Sequence, residues 1–324
     1  MLTRKLGKSG IDVSAMGMGC WAIGGPWWWS DGRAMGWSQV DDAESIRAIH
    51  AALDLGITFF DTAANYGAGH SEQTLGRALA GRRDQVVIAT KFGHIVDEET
   101  KIVDGDDDLL LDNIRQDCEN SLRRLNTDYI DVYQLHAGSY PAEEAIAVRD
   151  LLEALVAEGK IRAYGWSTDH VDRARVFARG QHCASIQFSL NVFHDNPQMR
   201  ALCDEFDVGS INKKPLSSGI LTGKFTPAST FPRDDFRRIL DFQEERYAKM
   251  LRQVDQLRQV LTSEGRTLAQ GAIAWIWARS ERAIPIPGFK TVAQVEENAG
   301  AMAFGPLSRE QLQEVEQILE RETP

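Results

Sequence analysis

The chain has 324 residues, 43% of them apolar and 26% charged, with a formal net charge of −11. That balance fits a globular fold with a substantial core, and the dispersal of Lys and Arg excludes a general affinity for nucleic acid, which needs a concentrated basic face. Four widely spaced cysteines without a CxxC pair (Cys20, Cys118, Cys183, Cys203) exclude a disulfide framework or zinc knuckle and suit a reducing compartment; with no signal-type start and no run near the ~18 apolar residues of a membrane span, the expected location is cytoplasmic, with no membrane partner.

Residues 1–12 place KSG between short polar and apolar pieces, which predicts a small hairpin capping the bottom of a barrel. The first strand signal is VSAMGMG (13–19), leading into Cys20 and Trp21. ITFFDTA (57–63), VVIATK (86–91), YIDVYQLH (129–136), IRAYGWS (161–167), SIQFSLN (185–191), VGSINKKPL (208–216) and AIPIPG (283–288) follow. Most are continuous apolar runs, the pattern of strands covered on both faces. Helical periodicity separates them, clearest in LDNIRQDCENSLRRL, where Leu111, Ile114, Cys118, Leu122 and Leu125 form one stripe facing a sheet. Eight strands alternating with helices predict an α/β fold, a (β/α)8 TIM barrel of parallel strands, as a single domain over 1–324. The connection between strands seven and eight, about 65 residues, carries the loop SSGILTGKFTPASTFPRDD and helices over 241–262 and 267–279, and is long enough to fold over a ligand. A terminal helix starts at SREQLQEVEQILER, with Ser308 as N-cap and Gln311 as its capping-box partner.

Two nucleotide-type motifs fail in context. GMGCWA (17–22) has G-x-G-x-x-[GA] spacing, but IGGPWWWSDG behind it cannot open the helix a dinucleotide site needs. GILTGKF has the wrong glycine spacing for a Walker loop and Phe225 where Ser or Thr is required. Trp27, Trp28 and Trp29 either pack a loop or wall a substrate pocket. The PRDDFRR cluster at 232–238 reads as a solvated loop.

In a parallel barrel the C-terminal strand ends share one rim. Strand two ends in Asp61 with Tyr66 on its loop, strand three in Lys91 and strand four in His136. Each alone has an ordinary structural role available, but joint placement on three consecutive strand ends favours chemistry, namely proton donation to a polarised oxygen. Free tyrosine, with a pKa of ~10, is a poor acid, and a neighbouring ammonium is expected to lower that value. Lys91 supplies the ammonium, Asp61 holds it charged, and His136 places the oxygen. The remaining histidines, His70, His94 and His194 among them, have no ligand spacing, so no catalytic metal is expected.

These residues sit in longer patterns. D61-T-A-x-x-Y66-G followed by S71-E72-x-x-L75-G76, and S121-L-R-R-L-N-T-D128-Y-I-D131 leading to H136, resemble the aldo-keto reductase family, and the likeness covers essentially the whole chain. The resemblance implies NADPH-dependent reduction of an aldehyde or ketone, with NADH as a second possible cofactor and a small-molecule carbonyl as substrate. It implies Tyr66 as general acid/base, tuned by Lys91 and Asp61, with His136 orienting the carbonyl. It places Gly19, Cys20 and Trp21 beside the nicotinamide and assigns its carboxamide to Ser167, Thr168 and Gln187. The stretch from Pro215 and Leu216 through Ser218, Gly219, Leu221 and Gly223 to Lys224 resembles the pyrophosphate clamp. Gly288 leads to the adenosine end, where Lys290 and Thr291 would hold a 2'-phosphate, with Gln294 in the same stretch and Glu297 and Asn298 on adenine. One departure stands out: Lys213, followed by Lys214, occupies the place where many relatives stack an aromatic residue on the nicotinamide. It motivates an alternative reading, a cofactor-binding regulatory protein with little turnover.

Overall fold

A computed structural model describes residues 2–105 and 110–321. Met1, within the predicted hairpin, and residues 106–109 and 322–324, within the expected 1–324 domain, lie outside the described residues. The chain runs β1 (Thr3–Lys5), β2 (Asp12–Ser14), β3 (Met18–Gly19), β4 (Trp28–Trp29), α1 (Asp42–Asp54), β5 (Phe59–Asp61), α2 (His70–Ala78), β6 (Val87–Phe92), β7 (Ile95–Val96) and β8 (Ile102–Asp104). It continues through α3 (Leu110–Leu125), β9 (Ile130–Leu135), α4 (Ala145–Ala157), β10 (Ile161–Ser167), α5 (Val171–Ala178), β11 (Cys183–Ser189), α6 (Pro197–Phe206) and β12 (Gly209–Lys213). The last elements are α7 (Glu245–Leu261), α8 (Leu268–Arg279), β13 (Ala283–Pro285), α9 (Val292–Gly300) and α10 (Arg309–Ile318).

All eight expected strands pair in parallel, in the order β3-β5-β6-β9-β10-β11-β12-β13. The sheet closes into a barrel where the Gly17 N–H donates to Pro285 O and the Gly19 N–H to Pro287 O, both at 3.0 Å. Glycine is required at this seam, because a Cβ on Gly19 would stand 2.7 Å from the Ile286 carbonyl oxygen. Small and branched residues from the strands, including Val87, Val132, Ala163, Ala184, Ile211 and Ile284, fill the interior. The antiparallel β1–β2 hairpin adds Leu6, Ile11 and Val13 to that cluster, so it plugs the bottom as expected. Each such side chain contributes about 1.5–3 kcal/mol by leaving water.

The helices follow the sequence pattern with two adjustments. In α3 the stripe of Ile114, Cys118, Leu122 and Leu125 is buried, but Leu110 replaces Leu111, which is 38% exposed. Residues 241–244 form a turn, with the Glu244 N–H donating to Asp241 O, so the predicted 241–262 helix starts at Glu245. Ser308 and Gln311 form the expected capping box on α10. All four cysteines are buried and unpaired. Among the described residues no helix is long and apolar enough to cross a membrane.

The sequence predicts no element at 95–104. These residues form the β7–β8 hairpin, and β8 pairs in parallel with β4, so that Trp28 lies opposite Ile102 and Trp29 opposite Val103. Trp27, Ala68 and Val103 form a small core of their own, with Trp29, Met35 and Val96 packed on it.

Candidate functional site

The barrel mouth brings Asp61, Tyr66, Lys91 and His136 together. β5 and β6 are neighbours, with Asp61 opposite Ala89, and both side chains at the pair's core, Asp61 and Lys91, are buried. The Lys91 Nζ donates to Asp61 Oδ2 at 2.7 Å, to Thr62 O at 2.7 Å and to the Tyr66 hydroxyl oxygen at 3.3 Å. An ammonium has three N–H donors, and these three partners use them all. Because the phenol oxygen accepts from the lysine, the phenol proton remains free to be donated elsewhere. Asp61 Oδ1 accepts from Gln134 at 3.1 Å and Gln187 at 2.7 Å, so the buried carboxylate is bonded at both oxygens. The loop that carries Tyr66 lies flush on the loop after β3: Gly67 has φ +62°, and a Cβ there would lie 1.8 Å from Gly24 O.

Burial alone would lower the Lys91 pKa, but Asp61, with Tyr66, holds it above its ordinary value, so the lysine stays charged. Tyr66 corrects the sequence expectation. Burial pushes its pKa up by more than Lys91 pulls it down, so the phenol lies above its ordinary 10.0 rather than below it. The group is therefore held protonated. His136 titrates well below 6.5 because of burial, then His94, Lys91 and Lys213, so its ring is neutral. Burial likewise lowers His94, to about 4.

Asp61, Tyr66, His94 and His136 open onto a cavity of about 480 Å³, with Lys91 buried behind them. A continuous series of aromatic rings follows it, all on its lining except the buried Phe236: consecutive centroids from Trp27 through Trp29, His94, His136, Tyr66, Trp21 and Phe236 to Trp37 are 5.5, 5.3, 5.2, 5.9, 5.9, 4.4 and 5.1 Å apart. The stretch from Trp27 to His136 forms one arm of the cavity, with Met35 beside it. Trp27 and Trp29 thus wall the pocket, whereas Trp28 is not on the lining.

The second arm comes from the long connection after β12 and from the segment after β13. Lys213, Lys214, Pro215, Leu216, Ser218, Gly219 and Lys224 line one side. Gly288, Lys290, Gln294, Glu297 and Asn298 line the other, while Gly19, Trp21 and Gln187 lie on the wall as well. Ser217, Ser218 and Gly219 all have positive φ (48°, 57° and 98°). For the two serines this costs of order 1–3 kcal/mol each, the kind of strain that collects at binding loops.

Other residues assigned to the cofactor stand behind the wall rather than on it. Cys20 is fully buried and contributes its backbone N–H to Asp61 O at 2.8 Å. Ser167 accepts from Lys213 at 3.3 Å, and Thr168 donates its hydroxyl to Gly138 O at 2.8 Å. Leu221 is a core residue, Gly223 packs on Leu268, and the Thr291 hydroxyl caps α9 by accepting from Gln294 N. Residues missed from sequence include Arg237. Its guanidinium lies 4.2 Å from the Trp37 centroid and 4.5 Å from that of Phe231, held by Asp235 at 2.7 Å. PRDDFRR is therefore not simply solvated: Asp235 and Phe236 are buried and Arg237 lines the cavity. The one apolar residue among these charges, Phe236, is the signal the sequence offers. Asn65, Trp37 and His94 also line the cavity, and Gln134 supports Asp61.

A closed parallel barrel with a protonated phenol on a buried lysine–aspartate pair, opening on a cation-lined groove, defines an oxidoreductase architecture. The chain belongs to the aldo/keto reductase family, whose sequence model matches residues 15–320. It is 33% identical over 314 residues to the aldo-keto reductase yakc [NADP(+)] of Schizosaccharomyces pombe, covering 93% of this chain and 86% of that protein. It is 34% identical over 304 residues to the aldo-keto reductase YhdN of Bacillus subtilis, covering 90% and 86%. Among solved structures it resembles the glycerol dehydrogenase of Gluconobacter oxydans (TM-score 0.83, 31% identity, covering 99% of this chain and 96% of that one). It also resembles an aldo/keto reductase of Klebsiella pneumoniae in complex with NADP and acetate (TM-score 0.70, 26% identity, covering 100% and 98%).

The motif residues outside the mouth are scaffold. Glu72 accepts from Arg124 at 2.6 Å and Thr90 at 2.5 Å, all buried. Asp131 ties Arg83, Arg162 and the Ile88 N–H at 2.7, 2.6 and 2.9 Å. Ser71 Oγ donates to Cys20 O at 2.7 Å, fixing the turn beside Asp61.

Proposed function

We propose that this chain, as one domain, reduces an aldehyde or ketone to the alcohol, reversibly, with NADPH as cofactor and Tyr66 as proton donor. The single observation that carries the reading is the Lys91 ammonium touching both Asp61 Oδ2 and the Tyr66 hydroxyl inside the cavity mouth. The groove suits a polyanionic cofactor. Five cations, Lys213, Lys214, Lys224, Arg237 and Lys290, line it on a chain whose net charge is −11. Its two acids are already engaged, Asp61 by Lys91 and Glu297 by Lys224 at 3.4 Å.

NADPH, when bound, supplies the hydride. Lys290, whose Nζ donates to Ser38 O at 3.1 Å, and Arg237 would hold the 2'-phosphate end, with Glu297 and Asn298 at adenine and the Ser218–Gly219 turn at the pyrophosphate. At the other end the chain's own groups handle the proton. Tyr66 donates its free proton to the carbonyl oxygen, and Lys91, pinned by Asp61, stabilises the phenolate that forms. The neutral His136 ring offers one N–H to the same oxygen and fixes its direction. The aromatic arm excludes water from the reacting carbon.

NADPH consumption with aldehydes and ketones, measured for wild type and Tyr66→Phe, tests this. The variant should lose about 10²–10⁴-fold in kcat/KM while still binding NADPH; equal turnover would remove Tyr66 from the chemistry. Tight NADPH binding with no wild-type turnover on any carbonyl would favour the regulatory alternative.

A further inference from the structure

The cavity wall carries a cation that the proton chemistry does not use. Lys91 is matched at 2.7 Å by Asp61 with both groups buried, and His94 and His136 are neutral. Lys213 is different. Its ammonium donates to Ser167 Oγ at 3.3 Å, and its counter-ion Asp169 stands at 3.4 Å with 42% of its side chain exposed. Asp169 is anchored from the other side by the Ser189 N–H at 2.6 Å and the Ser189 hydroxyl at 3.2 Å, and it is not on the cavity lining, whereas Lys213 is. Water screens the carboxylate, and of the two partners only Lys213 belongs to the cavity lining.

Hydrogen bonds join this cation to the reacting end. Ser167 Oγ donates to Gln187 Oε1 at 3.4 Å, Gln187 Nε2 donates to Asp61 Oδ1 at 2.7 Å, and Asp61 Oδ2 holds Lys91 against Tyr66. The charge of Lys213 acts on His136, whose ring lies against Tyr66, and on Lys91, so its field reaches the place where a ring would exchange hydride with a carbon beside Tyr66. The oxidised nicotinamide ring carries a positive charge and the reduced ring carries none, while their phosphates and adenine are the same.

We propose that Lys213 makes the site distinguish the two oxidation states of the cofactor, opposing the cationic ring of NADP+ and leaving the neutral ring of NADPH unopposed. This rests on the reading that a nicotinamide cofactor occupies the cavity with its ring at Tyr66. The other cations attract the phosphates of both forms equally, so their effect cancels in the ratio of the two dissociation constants. Like charges sharing one partly desolvated cavity repel strongly enough to change that ratio about tenfold, even with partial compensation by Asp169. The consequence is a site that releases NADP+ readily after each turnover and reloads with NADPH.

The test measures Kd for NADP+ and for NADPH separately, by equilibrium dialysis, on wild type, Lys213→Met, Lys213→Arg and Asp169→Asn. Wild type should bind NADPH the more tightly. Lys213→Met, which keeps the chain length and removes the charge, should lower Kd(NADP+)/Kd(NADPH) by about tenfold. Lys213→Arg should preserve the ratio, and Asp169→Asn should raise it by stripping the counter-charge. An unchanged ratio in Lys213→Met with both forms still bound overturns the proposal, as does a ratio that fails to rise in Asp169→Asn should the methionine variant not fold. Failure of wild type to bind either form would instead overturn the cofactor reading beneath it.

Discussion

The two arms of the cavity are built on opposite principles. The arm from His136 through His94 and Trp29 to Trp27 carries no charge, because both imidazoles are held neutral, and the small β4–β8–β7 sheet fixes its wall. The arm made by the segments after β12 and β13 holds the cations and a turn in left-handed backbone. The first can recognise a ligand only by shape and desolvation, and the second mainly by charge. They meet at Tyr66, the proton donor of the proposed reaction. Affinity in one arm should therefore depend on salt, and in the other hardly at all.

The junction is where disruption should be largest. Lys91→Met leaves Asp61 buried without its ion pair, and the loss of folding stability should be about 3–5 kcal/mol, read from the urea midpoint at constant m-value. A fall under 1 kcal/mol would mean that Gln134 and Gln187 suffice to hold the carboxylate. The arms themselves separate in a crossed experiment. Lys290→Ala should raise Kd for NADPH about tenfold and flatten its salt dependence, leaving KM for an aromatic aldehyde alone. Trp29→Ala should do the reverse, weakening an aromatic aldehyde about tenfold relative to a small aliphatic one through lost ring contact, with NADPH affinity intact. If either variant moves both ligands equally, the division into arms is wrong. The mildest effect is in pH. Tyr66, with its pKa raised, stays protonated through neutral pH, and His136, with its pKa lowered, stays neutral, so kcat for reduction should be flat from about pH 7 to 9 and fall as pH rises through the Tyr66 pKa. An inflection near the ordinary histidine value would show that His136 titrates in the working enzyme.

The barrel was legible because its strands are buried on both faces and so read as unbroken apolar runs. The capping box at Ser308 and Gln311 and the plug at 1–12 were legible for similarly local reasons. Asp61, Tyr66, Lys91 and His136 could be placed on one rim because parallel strands all end there. What failed depends on tertiary surroundings. The direction of the Tyr66 pKa is a contest between burial and one ammonium, and sequence reports only the ammonium. Arg237 and the 95–104 hairpin belong to loops whose partners, Trp37 and the β4 strand, are far away in the chain. The bond from the Thr168 hydroxyl to Gly138 O also joins residues far apart in the chain, which the sequence does not report. The exchange of Leu111 for Leu110 is a one-residue rotation at a helix start, where periodicity is weakest.

A crystal structure of the protein with NADPH and an unreactive aromatic carbonyl compound tests the central claim most directly. The carbonyl oxygen should accept a hydrogen bond from the Tyr66 hydroxyl, with the His136 ring at the same oxygen and the aromatic ring lying against His94 and Trp29. A carbonyl oxygen bound to Asn65 or Lys213 instead, with Tyr66 more than a hydrogen bond away, would contradict it.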